Sequence, residues 1–87
     1  MHEAGLVRDL LRRIEAVARA ERARRVTAIT VRLGALSHMS PEHFTEHFRE
    51  AARGTLAETA RLEIEVGDDP RDPDALHVRL EDVELDV

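Results

Sequence analysis

Met1-His2-Glu3 opens the chain with residue types that hold a metal through nitrogen. A free α-amine, the next backbone amide and a histidine side chain at residue 2 close a five-membered and then a six-membered chelate ring on one cation. This supplies three nitrogens in a plane. The amide of Glu3, or an outside ligand, fills the fourth position, and the Glu3 carboxylate can assist from outside the plane. Tetragonal nitrogen coordination suits Ni(II) or Cu(II) rather than zinc. The amine has a reference pKa of about 7.7–8.0 and the amides must also lose protons, so affinity is expected to fall as the solution is acidified. Enzymes that remove the initiator methionine require a small second residue, so His2 is expected to protect Met1.

A second set of candidate donors lies further along. His43 and His47 are one helical turn apart, the spacing of a two-point metal clamp, and His38 is close in sequence. No third ligand is evident, and His47 falls beside Phe44, Phe48 and Ala51 on the expected buried face. Packing and surface roles are therefore favoured for this pair over metal binding. His77 is expected at the surface. Asp68, Asp69, Asp72 and Asp74 lack the ligand spacing, central glycine and terminal glutamate of an EF-hand, and read as a solvated charge run. Ser37 and Ser40 have histidines nearby, but no acid is placed to orient a base and no oxyanion-hole motif is present. No enzyme is expected.

Composition narrows the chemistry further. The 87 residues contain no cysteine, which removes disulfides, thiolate metal ligands and a cysteine nucleophile. The length fits one domain, residues 1–87, with a single core. No apolar run approaches the length of a membrane span, and the start lacks the basic-then-apolar order of a secretory signal, so a cytoplasmic location is expected. The net charge of −5 conceals an asymmetry, with ten of the thirteen arginines in residues 1–53 and eleven of the eighteen acids in residues 54–87. A nucleic-acid binder would combine its basic face with stacking aromatics, and the only aromatics are Phe44 and Phe48. Neither nucleic acid nor membrane is an expected partner. All the cations are arginine; this is read as compositional bias.

The elements that must position these residues follow from periodicity. From Glu3 to about Ala20, the residues Leu6, Val7, Leu10, Leu11, Ile14, Val17 and Ala18 recur at the spacing of an amphipathic helix. The opposite face is charged, with Asp9 and Arg13 spaced as a solvated pair. Arg25 to Leu33 alternates as a strand, with Thr27, Ile29, Val31 and Leu33 on one side and Val26, Ala28, Thr30 and Arg32 on the other. Ser40-Pro41-Glu42 supplies a capping hydroxyl, a proline for the first helical position and an acid favourable to the dipole. A second helix should therefore begin at Pro41, and Gly54 should end it as a left-handed cap. A second strand places Ala60, Leu62, Ile64 and Val66 inward. Residues 67–74 hold two prolines and four aspartates and must form a surface loop. The last strand is expected from about Ala75, with Leu76, Val78 and Leu80 on one face and Val83, Leu85 and Val87 on the opposite parity. A bulge near Glu81 and Asp82 would restore register.

The order helix-strand-helix-strand-strand predicts an α/β (α+β) two-layer sandwich, a mixed three-stranded sheet with two helices on one face. The first two strands, joined through a helix, should be parallel, and the third should return antiparallel. Two open edges would remain, a route to a homodimer through a sheet edge.

Several segments in order resemble the HypA/HybF family of hydrogenase nickel incorporation proteins. Met-His-Glu leads into a helix, Arg25-Val26-Thr27 opens the first strand, and Val31-Arg32-Leu33-Gly34-Ala35-Leu36-Ser37 is similar to the family's strand ending in Gly-Glu-Leu-Ser. Pro41-Glu42, Gly54-Thr55-Leu56-Ala57-Glu58 and Leu62-Glu63-Ile64-Glu65 follow at family-like spacing. The resemblance covers residues 1–66 and the final strand. It implies a nickel metallochaperone serving NiFe-hydrogenase, and in some organisms urease, maturation. The site it implies is the N-terminal amine, the His2 side chain and neighbouring backbone amides, with Glu3 influencing the metal. Docking to a HypB-like GTPase or another hydrogenase or urease maturation protein is implied too. The family's zinc-binding insert, with two Cys-x-x-Cys pairs between the last two strands, is absent; residues 67–74 take its place, and no zinc is expected. Ala35 replaces the usual acid after Gly34. The alternative reading is an adaptor of the same fold that binds no metal and acts by protein–protein docking.

Overall fold

A computed structural model describes residues 3–87. The chain forms α1 (Glu3–Ala20), β1 (Arg25–Leu33), α2 (Pro41–Ala51), β2 (Arg61–Val66) and β3 (Val78–Asp86). The sheet order is β2-β1-β3, with β1 parallel to β2 and antiparallel to β3. This is the mixed three-stranded sheet expected, with β1 central and both helices packed over one face.

α1 buries Val7, Leu10, Leu11, Ile14 and Ala18, the stripe that the three-and-four spacing defines. Val17 departs from expectation: it is 42% exposed, because it lies at the solvent margin of that stripe. The expected Asp9–Arg13 pair is replaced by Arg12 on Asp9 at 2.7 Å, three residues apart. α2 starts as expected, with the Ser40 hydroxyl accepting the His43 N–H at 3.1 Å and proline in the first turn. Its end differs. Ala52, in right-handed conformation, is the C-cap, and Gly54 takes its positive φ of 76° two residues later, in a following turn. Phe44 and Phe48 are fully buried, stacked with ring centroids 6.1 Å apart, and plug the space between α2 and the sheet.

The β1–β3 pairing holds two irregularities. Thr27 is unmatched between the Val26–Leu85 and Ala28–Glu84 pairs, and Glu81 is unmatched between Thr30–Asp82 and Val31–Leu80. The Glu81 bulge is the one that the parity change in β3 demands, and it returns Leu80, Val83 and Leu85 to the core side. The Thr27 bulge does the same for β1, so Val26 joins Ile29, Val31 and Leu33 in the core rather than lying opposite them. Its hydroxyl donates to the Glu84 carbonyl at 3.1 Å.

Three apolar residues expected on the core face lie outside it, among them Val87, which follows the end of β3 at Asp86 and is 75% exposed. Val66, the last residue of an edge strand, is 59% exposed, and Leu76 is 67% exposed because β3 begins at Val78 rather than Ala75. Residues 74–77 instead turn back on themselves, with Ala75 N–H on Asp72 O and His77 N–H on Asp74 O, both at 2.9 Å.

Candidate metal centre

Met1, His2 and the Glu3 side chain lie outside the described residues. The Glu3 backbone opens α1, so the expected chelating segment is joined directly to the first turn of an 18-residue helix. A short turn at residues 21–24 sends β1 back along α1, and the parallel β1–β2 crossover sends α2 opposite to both strands. The two helices therefore run in the same direction, and their N-termini share one end of the molecule.

Two open pockets flank the beginning of α1. On one side Leu6 meets Leu36, Ser37 and His38, the residues just before α2, together with Leu76 and His77, around about 580 Å³. On the other side Ala4 and Arg8 face His47, Glu50 and Ala51 of α2 around about 300 Å³. The connecting segment is anchored by backbone hydrogen bonds from Leu36 N–H to Ala75 O at 2.7 Å and from Ser37 N–H to Gly34 O at 3.0 Å.

The histidines separate by environment. His38 is exposed, with its backbone at a φ of 59°, a left-handed position that is uncommon outside glycine. His43 is exposed on the first turn of α2, whereas His47 is half-buried against α1. His77 is exposed as expected, its Nδ1 3.5 Å from Asp74 Oδ1. Among the described residues, no three or more of His, Cys, Asp and Glu are grouped to hold a metal ion. His43 and His47 thus share a helix face without a third donor from the described chain. Ser37 and Ser40 have structural settings: the Ser37 hydroxyl is buried without a partner among the described residues, and Ser40 caps α2. The aspartate loop is tied by its own Asx-type bonds, Arg71 N–H on Asp69 and Asp74 N–H on Asp72.

The fold defines a small two-layer α/β domain in which both helices begin at the same end. The chain belongs to the HypA family: residues 1–69 match the family described as hydrogenase/urease nickel incorporation, metallochaperone, HypA. Hydrogenase maturation factor HypA of Methylocella silvestris is 41% identical over 66 residues, covering 76% of this chain and 58% of the relative. The Archaeoglobus fulgidus HypA is 38% identical over 66 residues, covering 76% and 60%. The match thus spans less than two thirds of these curated relatives. In structure, the chain is similar to the solution structure of the nickel metallochaperone HypA from Helicobacter pylori, with a TM-score of 0.84, 21% identity and coverage of 100% of this chain and 99% of that one. A second HypA solution structure gives a TM-score of 0.77 at 18% identity, covering 98% and 96%. At these identities the likeness is one of fold.

Proposed function

We propose that this chain is a nickel metallochaperone: its Met1-His2-Glu3 terminus binds Ni(II) in a nearly planar nitrogen site and passes it on during NiFe-hydrogenase, or urease, maturation. The observation that carries the reading is the family match beginning at residue 1, which includes the three chelating residues and the helix they lead into. The mount suits the task. α1 is packed along its length against the core, so the chelating segment is joined directly to a rigid element. Nickel is cargo here, and the chain transforms no substrate.

The receiving partner is a HypB-like GTPase or another maturation protein, and the transfer takes place in the cytoplasm. Zinc is not required, since no thiolate is available to build the structural zinc sites that cysteine-rich modules use. The test is nickel titration by calorimetry and absorbance on tag-free protein with an authentic Met1. Binding with a planar-nickel absorbance band, abolished by His2→Ala and by acetylation of the amine, is the expected result. No binding by the parent protein would leave the docking adaptor as the better reading.

A further inference from the structure

We propose that the outer edge of β2 pairs antiparallel with β2 of a second copy of this chain, in the register that sets Arg61 opposite Glu65 and Glu63 opposite Glu63. The inference stands apart from the nickel reading. Its basis is the direction of the backbone groups and the distribution of charge at the two sheet edges.

β2 is an edge strand, with β1 on one side and no strand of the described residues on the other. The Leu33 carbonyl accepts the Gly67 N–H at 2.8 Å and Leu33 is paired with Val66, so the backbone groups of Glu65 and Gly67 point at β1. Direction alternates along a strand, which turns the N–H and C=O groups of Leu62, Ile64 and Val66 outward. They form a ladder that another strand can use. In the proposed register Leu62 of each copy faces Ile64 of the other and exchanges both hydrogen bonds with it. The two side chains are half-buried at the margin of the core, and each covers the other across the junction. Two sheets joined in this way form one, ordered β3-β1-β2-β2-β1-β3, with all the helices on one face.

Charge selects the register. Arg61, Glu63 and Glu65 are exposed on the face away from the helices, and directly opposed residues share a face. Arg61 of each copy therefore meets Glu65 of the other, which is then held between that arginine and its own Arg32, 3.5 Å away. At the two-fold axis Glu63 meets Glu63, and each has its own Arg61 beside it at 3.0 Å. A shift of two residues in one direction would instead set Glu63 against Glu65 on both sides of the axis. A shift the other way would ask Ala60 to pair with Ile64, but the Ala60 N–H is bonded to the Ala57 carbonyl at 3.1 Å and its own carbonyl accepts Arg49 Nη1 at 2.7 Å. Charge also selects the edge: β3 sets Glu81, Asp82, Glu84 and Asp86 against Arg79 alone and is bulged at Glu81, so self-pairing there is opposed.

The chain contains no cysteine, so an introduced thiol reports the register. Residues opposed at a non-hydrogen-bonded antiparallel pair have Cα atoms about 4.5 Å apart, within disulfide range. Full-length Glu63→Cys treated with oxidised glutathione is expected to give a covalent dimer, whereas Arg61→Cys and Glu65→Cys give one only when mixed. In sedimentation equilibrium the cysteine-free chain is expected to self-associate at high concentration, the paired segment being short. Arg61→Glu and Glu65→Arg should each weaken this association roughly tenfold, since the two-fold axis makes each change count at two pairs. Mixing the two variants should restore it, because the mixed dimer is complementary at both pairs. A chain that stays monomeric at millimolar concentration, or an association indifferent to both charge reversals, would overturn the inference. Cross-linking by Glu84→Cys in place of Glu63→Cys would overturn it too, and would move the contact to the β3 edge. All the substituted positions are exposed, and circular dichroism checks that each variant folds.

Discussion

Gly34 and Ala75 meet backbone to backbone. The Gly34 N–H donates to the His77 carbonyl at 2.9 Å, and a Cβ built at Gly34 would lie 2.6 Å from the Ala75 carbonyl carbon and 2.5 Å from the Asp74 carbonyl oxygen. The obstacle is main chain on both counts, so neither side can yield by changing a rotamer. This crossing fixes where β1 ends and where the segment leading to α2 begins.

Gly34→Ala is accordingly expected to destabilise the fold by about 2–3 kcal/mol, at the upper end of overpacking costs, because backbone must shift. Gly54→Ala is the control. Nothing lies within 4 Å of its Cβ position, and only its positive φ opposes the substitution, so about 1 kcal/mol is expected. Urea unfolding of both variants checks the order; equal costs would mean that the 74–77 turn can move away from β1 freely.

Phe48→Ala should cost about 3–5 kcal/mol. The ring is fully buried, stacks on Phe44 and is one of only two aromatics in the chain. A domain of this size has a total stability of order 5–10 kcal/mol, so the variant is expected to be largely unfolded at moderate temperature. Thermal melting followed by circular dichroism reads the effect. A loss under about 1 kcal/mol would show that the α2–sheet interface repacks around the cavity.

These two sites illustrate what the sequence made legible. α1 and β1 follow from periodicities of 3.6 and 2, the start of α2 from Ser40-Pro41, and the Glu81 bulge from a parity change within β3. Each of those signals is local. The Thr27 bulge was hidden because Val26 and Ala28 alternate correctly with their neighbours, and only pairing with β3 shows that one residue is extra. The exposure of Val66 and Leu76 depended on where an edge strand stops, which neighbouring chain decides. His43 and His47 were visible as a pair, whereas the placing of His47 beside Ala4 and Arg8 of α1 depends on helix direction and could not be read from their spacing.

Ser40→Ala should cost about 1 kcal/mol, since the hydroxyl accepts the His43 N–H at 3.1 Å at the N-terminus of α2. For a domain of this length the expected fall in melting temperature is roughly 4–8 °C. Ser40→Asp, which retains a capping acceptor, should recover the stability, and a melting temperature insensitive to both changes would mean that α2 is held by its packed phenylalanines alone.

The pH dependence of nickel binding tests the chelate itself. Bonding to the α-amine displaces its proton whenever the pH is below about 7.7–8.0, and each coordinated backbone amide gives up another at any working pH. The metal-bound state therefore carries fewer protons than the free state, so apparent affinity rises with pH and falls with acidification. With two to three protons displaced, the fall from pH 7.5 to 6.5 should be roughly 100- to 1000-fold, because the slope of log affinity against pH equals the number of protons released. Calorimetry in two buffers of different ionisation enthalpy measures that number directly. A release of two or more protons that drops on acetylation of the amine is the expected outcome. Release of less than one would mean that side-chain imidazoles alone hold the metal, and would move the primary site from the terminus to His43 and His47.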